Sequence, residues 1–578
     1  MKGSTKLSII DSQLFYNDDK NIVIDLNGEI YNYKTLKTSL EKEGICFKTN
    51  SDMEVILRLY EKHGIDSFSS LDGMFTFSIY DKKNKKIIIV RDFFGGKPLY
   101  YYKTTGEFYW ASELKDITSV IDRKTLTISE TALNLYFRLT YIPAPYSIYK
   151  DIFKLEPNTF LEYDLNTKCI TKKLINQPSF DFDLEGINEE KAIKICFEKV
   201  CESVIARSIS DAPVGTFLSG GVDSSVVSWC LAKHTGQKID TFSIGFENKQ
   251  FDESEKAMTV AKLINSNHHL SRIDERDLFS DIDTIILNFD EPYADSSLLA
   301  SYFVAQKAKA KIKVALTGDG GDEVFGGYNK YYIGKLNNTI TSLLPESVFN
   351  IAKGMLKPIL YTQSDKRGKR YKLRRLFDSI DYDNDFYYKI ISLGFAPEEL
   401  KKILLSYNDY NFGEYKSIDK PYHKYKINDF REIDRHLSLD GDMLVKVDRT
   451  NLLTSLEFKS PLLNRDLWNF TNNLPDNYLI RGYNKKYILK KSFEKYFPTG
   501  FFDIAKQGFQ VPVGNWLRNS LKKELESYCD LEFLKTQGIF NPERLIPLIT
   551  RHIQGKQDST FEVWTYYCFQ KWYKKFYL

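Results

Sequence analysis

The sequence predicts an α+β domain at its amino end, followed by a doubly wound α/β domain with a helical extension. Three observations carry this prediction. Short β-rich runs bounded by Gly, Asp and Lys dominate the first part of the chain. From Glu190 onward strands alternate with helices, a pattern typical of a parallel sheet covered on both faces. Beyond Tyr331 the apolar residues recur mainly at helical spacing.

We place the first domain at residues 1-170. Its helices and strands are predicted from the period of its apolar residues. Helical spacing predicts helices over Lys34–Lys42 and Met53–His63. The predicted strands are Asn21–Tyr33, Gly73–Asp81, Lys86–Asp92, Leu99–Lys103 and Glu107–Ser112. A polar, acidic stretch over residues 171–189 predicts a linker.

The second domain, residues 190–578, begins with elements that alternate in type. In chain order they are a helix over Glu190–Ser208, a strand over Val214–Leu218, a helix from Ser225, a strand over Thr241–Phe246, a helix over Glu253–Ile264 and a strand over Lys313–Leu316. Parallel strands bring their carboxyl ends to one edge of the sheet, where ligands of open α/β folds bind. We therefore expect the functional residues to follow these strands.

Composition argues against several classes of protein. The chain has 81 Lys and Arg against 77 Asp and Glu, a net charge of +4, which is too weak a bias to indicate nucleic acid or a membrane surface as partner. Seven cysteines without a CxxC pair favour a reducing compartment. We expect a cytoplasmic protein that acts on small molecules, with a homodimer as the candidate assembly.

The segment FLSGGVDSS, Phe217–Ser225, is the sharpest local signal. A glycine turn after a buried strand lets the backbone approach a phosphate, and the N–H groups at the start of the next helix then bind the anion. Asp223 is the candidate ligand for a Mg²⁺ that bridges phosphates. The alternative is an ordinary βα turn, where Gly and Ser are common. No GK[ST] follows, so the segment is not a Walker A loop.

A second signal is LTGDGGDEVFGGY, Leu316–Tyr328, which also follows a predicted strand. Its acidic residues and glycines are typical of a loop that binds metal and phosphate, and Asp322 is a candidate second Mg²⁺ ligand beside Asp223. Gly-Asp pairs also form plain turns. The position at the carboxyl end of another strand of the same sheet favours a binding loop.

The chain resembles the asparagine synthetase family in a series of ordered motifs. Those of the second domain are SGGVDSS, TFSIGF, DEPYADSS, LTGDGGDEVFGGY, LVKVDRTNLLTSLE and KQGFQVPVGNWLR. Those of the first domain are LSIID, LNGEIYNY, SDMEVIL, LDGMFTFSIYD and RDFFGGKPLYY. The resemblance implies an N-nucleophile-type α+β glutaminase sandwich, incomplete here, followed by an α/β ATP-pyrophosphatase domain.

The resemblance also implies a reaction: ATP with Mg²⁺ would adenylate the side-chain carboxylate of aspartate, and ammonia drawn from glutamine would displace AMP. It places the pyrophosphate loop at Ser219, Gly220, Gly221, Asp223, Ser224 and Ser225. It places further nucleotide contacts at Leu218, Ile244, Thr317 and Gly318, and magnesium ligands at Asp223 and Asp322.

Two further groups follow from the resemblance. Lys506, in KQGF, matches a catalytic lysine that stabilises charge on the phosphate during adenylation. The acceptor pocket is placed at Lys446, Asp448, Arg449 and Glu457, although two cations beside two acids are equally typical of a structural ion-pair network. Lys459 and Asn464 stand where the family has Arg and Asp, which leaves a different carboxylate acceptor open.

In the first domain, the resemblance places glutamine-binding residues at Lys6, Asn27, Gly28, Glu29 and Asp52. Taken alone, the Asn-Gly-Glu run is also typical of a hairpin turn. The family's nucleophile is a cysteine at the mature amino terminus, whereas this sequence starts Met1-Lys2-Gly3 and its first cysteine is Cys46. We therefore expect either a shortened copy of a longer chain or a protein that takes free ammonia. A non-catalytic relative that serves as a binding partner is the remaining alternative.

Overall fold

A computed structural model gives the architecture of most of the chain. It describes residues 14–104, 106–175, 184, 186–246, 254–273, 279–356, 373, 377, 380–382, 386–407, 425–503 and 511–578. None of the helices in these ranges combines the length and the apolar character that a bilayer crossing requires.

An antiparallel sheet of six strands, in the order β1-β2-β3-β4-β8-β9, forms the first layer. The first nine strands are Phe15–Tyr16 (β1), Ile22–Ile30 (β2), Gly73–Asp81 (β3), Lys86–Arg91 (β4), Tyr100–Lys103 (β5), Phe108–Ala111 (β6), Ile152–Lys154 (β7), Thr159–Asp164 (β8) and Ile170–Leu174 (β9). β5, β6 and β7 make a separate three-stranded sheet. Helices Tyr33–Lys42 (α1) and Asp52–His63 (α2) share an apolar core with the larger sheet.

Helices Leu114–Val120 (α3) and Glu130–Leu139 (α4) leave the first sheet and join a different core. That core also contains carboxyl-terminal residues such as Trp564 and Phe569. The Tyr136 hydroxyl donates to the Thr565 carbonyl at 2.8 Å. One apolar core therefore contains residues from both sides of the 171–189 segment.

The parallel sheet of the second part has the order β12-β11-β10-β13-β14. Its strands are Val214–Phe217 (β10), Asp240–Phe246 (β11), Asn267–Ile273 (β12), Val314–Leu316 (β13) and Glu457–Lys459 (β14). The chain proceeds outward from β10 to β12 on one side and from β13 to β14 on the other. The adjacent strands β10 and β13 thus flank the point where the order reverses, where such sheets open a crevice.

Helices surround this sheet and continue to the carboxyl end. They are Glu189–Ser208 (α5), Val222–Thr235 (α6), Ser254–Leu263 (α7), Ile282–Ile286 (α8), Ser297–Ala308 (α9), Gly321–Phe325 (α10), Asn329–Leu343 (α11), Glu346–Leu356 (α12), Phe386–Ile391 (α13), Pro397–Ile403 (α14), Ile427–Asp434 (α15), Leu444–Thr454 (α16), Arg465–Asn472 (α17), Asp476–Leu479 (α18), Tyr487–Phe493 (α19), Val513–Arg518 (α20), Lys522–Ser527 (α21), Leu531–Gln537 (α22), Pro542–Ile553 (α23) and Thr560–Trp572 (α24). A π-helical segment, Arg435–Met443, joins α15 to α16, and a short hairpin, Ile480–Arg481 (β15) with Asn484–Lys485 (β16), precedes α19.

Helix α6 begins three residues earlier than the sequence predicts, at Val222 rather than Ser225. Gly221 is extended and takes the N-cap position, so the turn ends there. Asp223 in the first turn stabilises this start because an acidic side chain is favourable near the positive end of the helix dipole. The loop is consequently tighter than expected and Asp223 belongs to the helix.

Buried or half-buried ion pairs join the antiparallel layer to the parallel one. The pairs are Arg91–Asp440, Lys97–Asp448, Lys154–Glu291, Asp72–Arg207 and Glu113–Arg449. Such pairs are costly to break on one side, because the remaining charge is left buried without a partner. The two layers are therefore held in a defined register.

Candidate functional site

A cavity of about 340 Å³ opens at the carboxyl ends of β10 and β13. Both glycine-rich loops contribute to its wall. Of the residues singled out from the sequence, those that line it are Leu218, Ser219, Gly221, Asp223, Ser224, Ile244, Thr317, Gly318, Asp322 and Lys446. The two loops predicted to bind phosphate and metal thus meet at one cavity.

The two loops touch through their backbones. A Cβ atom on Gly318 would lie 2.7 Å from the Ser224 nitrogen and 2.9 Å from the Asp223 Cβ, distances that no ordinary side chain tolerates. Glycine at this position therefore permits the start of α6 to approach the loop after β13. Within the first loop, the Ser219 and Ser224 hydroxyls are 3.0 Å apart and the Gly221 N–H donates to Ser219 Oγ at 3.3 Å.

Asp223 and Asp322 are held together by a single lysine ammonium. Lys486 Nζ lies 2.5 Å from Asp223 Oδ2 and 2.6 Å from Asp322 Oδ1, and its side chain is buried. The described residues contain no cluster of three or more His, Cys, Asp or Glu that could hold a metal. The pair nevertheless suits Mg²⁺, which is bound in phosphate-transfer sites by one or two carboxylates plus phosphate oxygens, and a cation already lies between these two.

Glu323 follows Asp322 and differs from it in environment. Burial, together with the negative charge of Asp322, raises the pKa of Glu323 to about 7. The Tyr328 hydroxyl donates to Glu323 Oε1 at 2.7 Å. Glu323 and Tyr328 both line the cavity. Its wall therefore holds the Glu323 carboxyl, partly protonated near neutral pH, beside the Asp322 carboxylate, which contacts the Lys486 ammonium.

The rest of the wall suits an aromatic heterocycle and its polar edge. Phe242, Ile244 and Val304 contribute apolar surface, and Ser243 contributes a hydroxyl. His268 Nε2 lies 3.0 Å from Ser243 Oγ, and burial lowers the pKa of His268, which favours a neutral ring. The other ring nitrogen lies 2.9 Å from the Thr241 hydroxyl. The imidazole therefore orients the Ser243 hydroxyl at the cavity wall.

Lys446 is the predicted acceptor-pocket residue that the structure places in the cavity wall. Its Nζ donates to Asp295 Oδ2 at 2.9 Å and to Ser297 Oγ at 2.8 Å. Asp448 and Arg449 instead pair with Lys97 and with Glu113 and Asp290. They hold the two layers of the molecule together and do not line this cavity.

Two residues of the predicted pyrophosphate loop, Gly220 and Ser225, do not line the cavity. Gly220 takes a positive φ of 77° and packs against Lys256 and Ala257, so it shapes the turn. Ser225 is fully buried within α6. Lys6 and Lys506 lie outside the described residues, so their predicted roles stay predictions.

Glu457 belongs to a charged contact between the layers. Phe458, next to it in β14, lines the cavity, and side chains alternate along a strand, so Glu457 and Lys459 face the other way. Lys459 Nζ lies 2.6 Å from Glu29 Oε2 and 3.7 Å from Glu457 Oε1. Burial and the charge of Glu29 raise the pKa of Glu457. A predicted acceptor residue thus adjoins a predicted glutamine-binding residue.

The Asn-Gly-Glu run, Asn27–Glu29, lies inside β2, so the hairpin-turn interpretation is wrong. β2 pairs with β3 along nine residues, with Gly28 opposite Phe75. The Asn27 amide donates to Ser112 Oγ at 2.9 Å, and Asp52 Oδ2 accepts from the Ile30 N–H at 3.2 Å. The four described residues of the predicted glutamine site therefore gather around the end of one strand.

Gly28→Ala is expected to destabilise the antiparallel layer by about 2–4 kcal/mol. The residue has φ of 122°, and an added Cβ would lie 2.0 Å from the Met74 carbonyl oxygen and 2.8 Å from the Phe75 Cα. Because both obstacles are backbone atoms of the paired strand, the sheet must open locally. Urea unfolding followed by circular dichroism measures the loss.

Gly44→Ala is the matched control for this substitution. Gly44 also has a positive φ, 86°, but nothing lies within 4 Å of its added Cβ. Its cost should be that of the backbone conformation alone, about 1 kcal/mol. Equal losses in the two variants would show that contact with β3 does not matter at Gly28.

Two family models match different parts of the chain. The family model described as asparagine synthase matches residues 198–574. The model described as glutamine amidotransferase domain matches residues 1–173. The cavity and its two loops lie within the first match, and the glutamine-site residues lie within the second.

Three relatives illustrate the similarity. Asparagine synthetase (glutamine-hydrolyzing) 1 of Bacillus subtilis is 31% identical over 99% of this chain and 89% of the relative. A putative asparagine synthetase (glutamine-hydrolyzing) of Mycobacterium bovis is 29% identical over the same shares of the two chains. A putative asparagine synthetase (glutamine-hydrolyzing) 2 of Methanocaldococcus jannaschii is 41% identical over 56% of this chain and 62% of the relative.

Proposed function

This chain belongs to the asparagine synthase family, and we propose that it amidates aspartate to asparagine through an aspartyl-adenylate. ATP supplies the adenylyl group, Mg²⁺ accompanies it, and glutamine or free ammonia supplies the nitrogen. The observation that supports this proposal is the pair Asp223 and Asp322, which line one cavity from the starts of α6 and α10, just after the two glycine-rich turns, and share the Lys486 ammonium.

The first step is adenylation. A carboxylate oxygen of aspartate attacks the α-phosphorus of ATP, a C–O–P linkage forms, and the bond to the bridging oxygen breaks to release pyrophosphate. The backbone N–H groups at the start of α6 are suited to hold the departing pyrophosphate. Asp223 and Asp322 would hold the divalent cation, which would neutralise charge on the phosphate oxygens.

Two lysines have roles in this step. Lys446 is held by Asp295 and Ser297 at the cavity wall, where a cation can orient a carboxylate of the acceptor. Lys506 is proposed to stabilise the charge that develops on the phosphate.

The second step transfers nitrogen. The lone pair of ammonia attacks the acyl carbon, AMP leaves, and one proton is released. Asn27, Gly28, Glu29 and Asp52 are proposed to bind glutamine. Glu29 contacts Lys459 at the end of β14, so the proposed glutamine site adjoins the strand that borders the ATP cavity.

The two departures from the family's acceptor motif do not favour another acceptor. Lys459 pairs with Glu29, and Asn464 caps α17 by accepting from the Leu467 N–H at 2.9 Å. Neither residue lines the cavity. Aspartate is therefore retained as the proposed acceptor. A cytoplasmic location, a homodimer and the absence of nucleic-acid partners stay predictions.

Pyrophosphate release tests the proposal. With ATP, Mg²⁺ and ammonium, aspartate is expected to start pyrophosphate release, with asparagine and AMP formed in equal amounts. The same assay with glutamine, with and without the glutamine analogue 6-diazo-5-oxo-norleucine, identifies the nitrogen donor. An analogue-sensitive rate means that a nucleophile of this protein hydrolyses glutamine. If aspartate starts no pyrophosphate release with either nitrogen donor, aspartate is not the acceptor.

A further inference from the structure

Lys486 is placed between the two carboxylates by its backbone as well as its side chain. It is the residue before α19 and has φ of 55°, a left-handed conformation that is uncommon outside glycine and asparagine. The surrounding fold must hold it there. Its aliphatic stem passes over Gly327, where an added Cβ would lie 2.1 Å from Lys486 Cε and 1.9 Å from Asp322 Oδ1.

The ammonium has an electrostatic task in this position. Asp223 and Asp322 lie in the first turns of two different helices, α6 and α10, and two nearby carboxylates repel each other strongly where water is scarce. A buried cation that touches both offsets this repulsion and keeps the two helix starts together. A divalent metal that binds both carboxylates would lie in the same small space.

We propose that the Lys486 ammonium and Mg²⁺ compete for the Asp223–Asp322 pair, so that Lys486 keeps the pair assembled until the metal arrives with ATP. This inference rests on the proposed function. An ammonium and a divalent ion in contact with the same oxygens repel each other at that distance, so each weakens the other's contact. Once the metal is bound, the ammonium turns to the phosphate oxygens in the cavity that both carboxylates line. Lys486 then contacts ATP directly, whereas Asp223 and Asp322 contact it only through the metal.

Manganese(II) binding to the full chain without nucleotide tests the competition directly. Electron paramagnetic resonance of free Mn²⁺ at fixed ionic strength gives the affinity. Lys486→Gln removes the competing charge and is expected to bind Mn²⁺ at least about tenfold more tightly than the parent protein. Lys486→Arg keeps the charge and should stay close to the parent. Asp322→Asn should lose the site.

Lys491→Gln is the control. Lys491 lies on α19 with Lys486 but pairs with Glu494 at the surface, so its removal should not change Mn²⁺ binding. Thermal unfolding provides a second measurement, in case Lys486→Gln is unstable. Added Mn²⁺ should then raise its midpoint more than that of the parent, since a metal that binds the folded state more tightly stabilises it more.

An Mn²⁺ affinity in Lys486→Gln that equals or falls below that of the parent would overturn the competition. The same variant is expected to release pyrophosphate about a hundredfold more slowly, because the phosphate contact is gone. The proposed function and the proposed role of Lys486 are contradicted by different results. A parent protein that releases no pyrophosphate with aspartate contradicts the function, whereas unchanged metal affinity contradicts only the role of Lys486.

Discussion

Replacement of Asp223 by asparagine is expected to lower aspartate-dependent pyrophosphate release by about a hundred- to a thousandfold. Asparagine preserves the shape of the side chain but removes the charge that would hold the metal on the phosphates. Asp223 is buried at the start of α6 and shares the Lys486 ammonium with Asp322. A coupled assay of pyrophosphate at saturating ATP and Mg²⁺ measures the effect.

Asp211→Asn serves as the control for Asp223→Asn. Asp211 is exposed and precedes β10, at the amino end of the strand whose carboxyl end leads to Asp223. Its rate should match that of the parent protein. Circular dichroism of both variants separates a lost metal ligand from a lost fold. A folded Asp223→Asn variant that retained more than about a tenth of the parent rate would contradict the metal assignment.

Replacement of Arg91 by methionine is expected to lower the free energy of unfolding by about 3–5 kcal/mol. Arg91 ends β4 and donates to the carbonyls of Gly95, Lys97 and Leu155 and, at 2.7 Å, to Asp440 Oδ1. Both partners of the ion pair are nearly inaccessible to water. Burial already raises the pKa of the Asp440 carboxyl, and the charge of Arg91 opposes that rise. The variant leaves that carboxyl and three carbonyl oxygens without their donor.

Lys86→Met is the matched control at the other end of the same strand. Lys86 pairs with Glu162 at 2.9 Å, and about a third of its side chain is exposed. A pair that is in contact with water contributes about 0–1 kcal/mol, so the loss of unfolding free energy should be small. Urea unfolding, monitored by tryptophan fluorescence, compares the losses of unfolding free energy in the two variants. Similar losses at Arg91 and Lys86 would mean that burial does not set the strength of the contact between the layers.

Strands and helices with strong local patterns were predictable almost to the residue. β3 has the predicted bounds, and α1, α2 and α5 each differ by one residue at the start, because their apolar spacing is a property of the segment itself. Helix α4 was not predicted. Eight of its residues are buried, the polar Asn134 and Arg138 among them, and its partners come from the far end of the chain.

In the candidate site, too, some residues could be predicted from the sequence and others could not. The glycine-rich loops were predictable because glycine between a strand and a helix has few other uses than a close approach or a turn. Lys486 was not, since it lies in the lysine-rich run NKKYILKK, which is typical of a solvated surface. Asp448 and Arg449 carry the same charges that a binding pocket would use, and the structure places them in ion pairs between the layers, with Lys97 and Glu113.

The two glycine-rich turns and the carboxylates that follow them were predictable from the sequence alone, because they depend on neighbours along the chain. The charges that meet in space could not be predicted in this way: Lys486 with Asp223 and Asp322, and Lys459 with Glu29. A lysine has a long, flexible stem and no local preference for a partner. Its contact is set by the distance in space between segments that lie far apart in the chain, and no local period records that distance.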